Sequence, residues 1–144
     1  MLSSLEKYAP WAIGAYRIAI GILFCTHGTG VLWGWPNETP TSRPDLGAWP
    51  WWWAGLIEVV VGALLIVGLA TRPAALIGSG AMAVAYFWKH QPDGLFPIEN
   101  GGQGSALYCW ALLLLVFVGS GRLALDSVVA RRNTTTATPV VAVA

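Results

Sequence analysis

Apolar and polar positions alternate along this chain in long blocks, not at the short periods of a soluble amphipathic helix or a half-buried strand. Four blocks are almost wholly apolar: about Pro10–Leu32, Trp51–Leu69, Pro73–Trp88, and Ser105–Val118 with an extension to Ser120. A helix needs about 20 mostly apolar residues to cross a bilayer. The blocks therefore predict four transmembrane helices, the third and fourth of them short. Between them the breaks are sharp. Trp35–Pro50 holds Pro36, Pro40, Pro44 and Pro50 among polar residues and reads as a loop. Thr71-Arg72-Pro73 is a very short connection, with Pro73 suited to the first turn of a helix. His90–Gly104 is a second polar loop containing Pro92, Gly94, Pro97 and Asn100-Gly101-Gly102. Beyond Asp126 the chain turns to Arg131-Arg132 and a Thr/Ala/Val run, which predicts a disordered tail over 127–144.

Composition strengthens this picture. Hydrophobic residues make up 56% of the 144 and charged residues only 10%, with a mean hydropathy of +0.59. Soluble domains carry about 25% charged residues, so most of this surface needs lipid as its solvent. The expected class is an all-α integral membrane four-helix bundle. The net charge of +1 offers no basic footprint for nucleic acid, and none is expected as a partner. Lys7 precedes an apolar stretch, but Arg17 interrupts it and no clear small-x-small cleavage site follows. The first block is thus read as a span and not as a signal peptide.

Basic residues give the orientation. Lys7, Arg72, Arg122, Arg131 and Arg132 fall on one side and only Arg43 and Lys89 on the other, where Glu38, Asp45, Asp93 and Glu99 also lie. The positive-inside rule then predicts both termini in the cytoplasm and both long loops outside. Eight of the nine tryptophans, all but Trp11, fall near the outer interface. Such a belt suits anchoring, because an indole is apolar yet its N–H seeks a partner. It also suits a surface that meets a partner or a lipid-soluble ligand. Gly14, Gly21 and Gly28 in the first block and Ala74, Gly78, Ala81 and Ala85 in the third mark stripes where helices approach closely.

Ionisable residues inside a bilayer are costly and either paired or functional. Three qualify: Arg17, His27 and Glu58. At a rise of about 1.5 Å per residue, Arg17 lies roughly 10 Å above the inner end of its span, His27 about 15 Å further out, and Glu58 roughly 20 Å above the inner boundary. Glu58 is then within reach of either one. A structural Arg17–Glu58 ion pair with His27 bonded nearby is one reading; Glu58 and His27 as proton carriers beside a ligand is the other. His90 and Asn100 are further candidates at the outer end. Cys25 and Cys109 fall at similar heights and form a possible thiol pair if their Cα atoms come within about 7 Å. The histidines and carboxylates match no metal-site spacing, and no metal is expected.

A set of ordered motifs adds a resemblance. Arg17, His27-Gly28, Glu58 through Gly62, Thr71-Arg72-Pro73-Ala74-Ala75, Phe87-Trp88-Lys89-His90, Gly94-Leu95-Phe96-Pro97, Glu99-Asn100-Gly101-Gly102, Leu107-Tyr108, Gly119-Ser120-Gly121-Arg122 and Leu125-Asp126 together resemble the DoxX family of small bacterial membrane proteins over about residues 17–126. Gln103 stands where such proteins commonly carry Glu after Asn-Gly-Gly. The resemblance implies a DoxX-like four-helix domain over residues 1–126 in the bacterial cytoplasmic membrane. It also implies a link to membrane complexes that handle oxidants and thiols, since the family is named after a subunit of a thiosulfate:quinone oxidoreductase. An accessory, non-catalytic subunit of a larger redox or oxidative-stress complex, with other membrane or redox proteins as partners, is the leading expectation. A quinone-interacting oxidoreductase subunit, with quinone as cofactor, is the alternative, and a small transporter the weaker one.

Overall fold

The computed structural model describes residues 3–36 and 43–129. Among them the chain is all-helical, with no strand. Five α-helices follow one another: α1 (Ser3–Glu6), α2 (Ala9–Trp33), α3 (Trp51–Val67), α4 (Thr71–Ala85) and α5 (Gln103–Val118). By length and composition α2, with 25 residues, can cross a membrane, whereas α3 and α5 are apolar but shorter. α4 does not stop at Ala85. Its fifteen α-helical residues run on into a five-residue π-helix, Tyr86–His90, so helical structure extends two residues past the expected Trp88 and takes in His90.

α2 packs along α3 and α4 along α5; α3 meets α4, and α2 touches α5 more lightly. Missing side chains make the first contact possible. A Cβ on Gly28 would lie 2.7 Å from the Gly55 carbonyl oxygen, and one on Gly62 only 2.6 Å from the Cys25 nitrogen. The two backbones are therefore nearly in contact, the packing expected of small-residue stripes. Phe24, Val61, Leu65, Met82, Leu112 and Leu115 fill the centre. Hydroxyls supply crossing bonds: Ser79 Oγ donates to the Cys109 carbonyl at 2.9 Å and Tyr16 to the Ala111 carbonyl at 3.1 Å.

One end of the molecule is closed by the segment after α5. Residues 119–126 run beneath α2, α3 and α4 as a strap. The Arg122 amide donates to the Pro10 carbonyl at 2.8 Å and the Asp126 amide to the Gly68 carbonyl at 2.9 Å. Gly68 ends α3 at φ +68°, and a Cβ there would meet Ala124 Cα at 2.7 Å, so only glycine suits both the left-handed turn and the contact. α4 opens at Thr71, with Pro73 inside its first turn, after Ala70 in a left-handed conformation at φ 50°. That conformation costs an alanine about 1 kcal/mol or more, and Asp126 holds it. One carboxylate oxygen accepts the Ala70 amide at 2.7 Å and the other the Thr71 amide at 3.0 Å. The helical turn of residues 125–129 carries Asp126 into place, so the folded segment continues past residue 126. The remainder of the tail expected over 127–144, residues 130–144 with Arg131-Arg132, lies outside the described residues.

Candidate functional site

The close approach of α2 and α3 at Gly28 and Gly55 sets His27 beside Glu58. His27 Nδ1 and Glu58 Oε2 are 2.7 Å apart; the carboxylate side chain is 4% exposed and the imidazole 54%. With Glu58 ionised, Nδ1–H donates to it, which fixes the tautomer and leaves Nε2 facing away from the bond. Tyr108 of α5 lies next to the pair, its ring centroid 6.2 Å from that of His27 and 5.3 Å from that of Phe24. A buried carboxylate, its half-exposed histidine and a tyrosine thus lie together where α2 meets α5 lightly, with exposed Leu23 one turn from His27 on α2. Such a dyad can accept or give a proton at Nε2 while Glu58 stabilises the imidazolium.

Arg17 does not pair with Glu58. It is wholly buried, and its guanidinium donates to backbone carbonyls: Ile66 at 3.0 Å and Leu65 at the end of α3, and Ser120, Arg122 and Leu123 of the strap at 2.8, 3.3 and 2.8 Å. Depth explains the difference. Ten residues of α2, about 15 Å, separate Arg17 from His27, and in the antiparallel pair His27 comes level with Glu58 while Arg17 comes level with Leu65. A guanidinium offers five N–H donors in a planar fork, which suits several carbonyls at once. Arg17 is thus a clasp between α3 and the strap. Asp126 stands near it, outside the apolar helices. Burial pushes the Asp126 carboxyl up, but the Thr71 and Ala70 hydrogen bonds and the Arg17 charge outweigh that and hold it below its ordinary value.

His90 and Asn100 come together, yet in a loop clasp. Asn100 Nδ2 donates to the Gly94 carbonyl at 2.8 Å, its Oδ1 accepts the Gly102 amide at 2.8 Å, and His90 Nδ1 lies 3.1 Å from the Asn100 carbonyl oxygen. A Cβ on Gly102 would strike Asn100, His90 and Tyr86, which accounts for the Asn-Gly-Gly motif. Cys25 and Cys109 are both free and pack against different helices: Cys25 against Gly62 of α3, Cys109 against Ser79 of α4. Cys109 also lines an apolar cleft of about 230 Å³ with Phe87, Pro97 and Trp110, apart from the His27–Glu58 pair.

Two contributors escaped the sequence reading of the site. Tyr108 and Asp126 both stand in the ordered motifs, but only the fold shows that one flanks the dyad and the other caps α4.

Comparison with known proteins agrees with these motifs. The DoxX family model matches residues 12–91, from the start of α2 to just past the π-helix. An uncharacterized protein of Haemophilus influenzae (strain ATCC 51907 / DSM 11121 / KW20 / Rd) is 40% identical over 129 residues, 88% of this chain and 96% of its own. A second uncharacterized protein of that organism is 33% identical over 72 residues, 50% of this chain and 48% of its own. No solved structure matches. With more than half its length inside the family model and a relative that it covers almost end to end, the chain belongs to the membrane-associated DoxX family.

Proposed function

We propose that the chain is a multi-pass protein of a bacterial cytoplasmic membrane, with α2–α5 as four spans and both termini inside. It serves there as an accessory membrane subunit of a larger, redox-linked complex, and its His27–Glu58 flank faces its neighbour in the membrane plane. The spans are supported by what the helices leave outside: Ile22 and Leu23 on α2, Val60 and Val67 on α3, Leu76, Ile77 and Val84 on α4, Leu107, Leu114 and Phe117 on α5. An apolar exterior on every helix suits lipid. α4 reaches the needed length with its π-helical continuation, about 30 Å in all. Lys7, Arg72 and Arg122 at the strap end favour that end as the inner one.

The observation that carries the complex-subunit reading is the exposed half of the His27–Glu58 pair. A polar dyad on an apolar flank is costly in lipid unless another polar group meets it. A neighbouring subunit supplies such a group; the link to oxidant and thiol chemistry rests on family membership. Affinity purification of the tagged chain from native membranes in mild detergent, followed by mass spectrometry, tests it. The parent is expected to bring down a membrane or redox protein, and His27→Ala to lose it while remaining folded. A chain found alone and monomeric would overturn the reading.

The free Nε2 favours a second reading, a quinone held at the same flank by a hydrogen bond to its carbonyl. Organic extraction of the purified protein would then yield quinone from the parent and not from Glu58→Gln. Equal yields would exclude Glu58 from such a site.

A further inference from the structure

We infer that the end of the molecule opposite the strap carries a phospholipid-phosphate site built from Lys89 and the indoles of Trp49, Trp51 and Trp88. The inference rests on the reading of that end as a bilayer interface and goes beyond it by naming residues and a ligand chemistry. The cluster joins two separate parts of the chain. Trp49 and Trp88 lie with ring centroids 6.2 Å apart, and Lys89 Nζ stands 6.0 Å from the centroid of the Trp51 ring. All four side chains are exposed, Trp49 by 71%, Trp88 by 59% and Trp51 by 48%.

Hydrogen-bond chemistry names the occupant. An indole Nε1–H is a donor only, and an ammonium offers three donors and no acceptor. Among the described residues Trp53 satisfies its indole internally, on the Gly47 carbonyl at 3.1 Å, while no such bond engages Trp49, Trp51 or Trp88. Among the described residues no carboxylate lies within 4 Å of Lys89; the ion pair they form is His27–Glu58. Asp45, Asp93 and Glu99 share these loops without neutralising it. These four side chains therefore bring donors, positive charge and apolar ring faces, and none of them is an acceptor. A phosphodiester headgroup supplies the missing acceptors and negative charge, and its glycerol and acyl chains lie along the rings and the helix flanks below. The π-helix at Tyr86–His90 places Trp88 and Lys89, and the Asn100 clasp fixes the loop that follows them.

Native mass spectrometry of the full chain from detergent, with phosphatidylethanolamine, diacylglycerol of the same acyl chains or inorganic phosphate added separately, tests the site. A phosphatidylethanolamine adduct is expected where diacylglycerol and inorganic phosphate give none. Lys89→Gln should lower its occupancy about fivefold, the effect of one basic residue near a lipid surface. Replacing Trp49, Trp51 and Trp88 by Phe, which keeps the ring and removes the donor, should lower it further. Equal binding of diacylglycerol, equal binding of free phosphate, or an adduct indifferent to Lys89→Gln would each overturn the proposal. Labelling of Lys89→Cys in intact cells with a membrane-impermeant reagent reads the orientation separately. Labelling from outside supports it, and labelling only after cell lysis overturns the orientation without bearing on the adduct result.

Discussion

Replacing Arg17 by lysine keeps the charge and removes the fork. The guanidinium reaches five carbonyls, those of Leu65, Ile66, Ser120, Arg122 and Leu123. An ammonium has three donors, so at least two of these bonds are lost. Leu65 keeps a second donor in the Gly68 amide at 3.2 Å; the losses then fall mainly on the strap. At about 1.5 kcal/mol for each bond to a charged group, the variant should be about 3 kcal/mol less stable. For a chain of this size that corresponds to a fall in Tm of about 10 °C, measured by intrinsic tryptophan fluorescence in detergent. Glu58→Gln should not change that increment. The two side chains share no partner, and distant sites add to within about 0.5 kcal/mol. An Arg17→Lys variant as stable as the parent, or a coupling to Glu58 well above that limit, would refute the clasp and restore a direct Arg17–Glu58 pair.

Two other perturbations read the same fold. The Asp126 carboxyl is held below its ordinary 3.8. Its contribution to stability is therefore complete above that pH and is lost as the pH falls through the depressed value. Asp126→Asn should lower Tm at pH 7 and make the acid side of the stability profile shallower, as thermal scans between neutral and strongly acidic pH would show. Gly62→Ala should destabilise by about 1–3 kcal/mol because its Cβ meets Cys25 backbone, whereas Gly80, with nothing within 4 Å, should accept alanine with Tm unchanged or slightly raised. Equal effects from the two glycines would show that the α2–α3 contact is looser than described.

The extents of the helices were legible because long apolar blocks and Pro/Gly-rich breaks are local signals. The ends of α2 and α5 shift by one or two residues, and α3 stops at Val67, before the predicted Leu69, because Gly68 turns left-handed beneath Ala124. The His27–Glu58 contact was legible as one of two options from helical rise alone. The choice between His27 and Arg17 required the register of α2 on α3, which glycine-to-backbone contacts set and periodicity does not. Chemistry alone does not separate the two options either. A buried guanidinium suggests a carboxylate, but the free carbonyls at the end of α3 and along a glycine-containing strap serve it equally. The Asp126 cap lies 55 residues from the helix it caps, and nothing local announces such a pairing. His90 and Asn100 look chemical in a list of polar residues; in space their bonds are spent on shaping one loop.

The claim that the His27–Glu58 flank meets a neighbour in the membrane is tested most directly by photo-cross-linking from within that flank. A photoreactive amino acid in place of Leu23, exposed and one turn from His27, should yield in native membranes a discrete adduct of higher mass that disappears in Glu58→Gln. The same amino acid at exposed Ile77 on α4 should not yield it. No protein adduct from position 23, or the same adduct from both positions regardless of Glu58, would contradict the account.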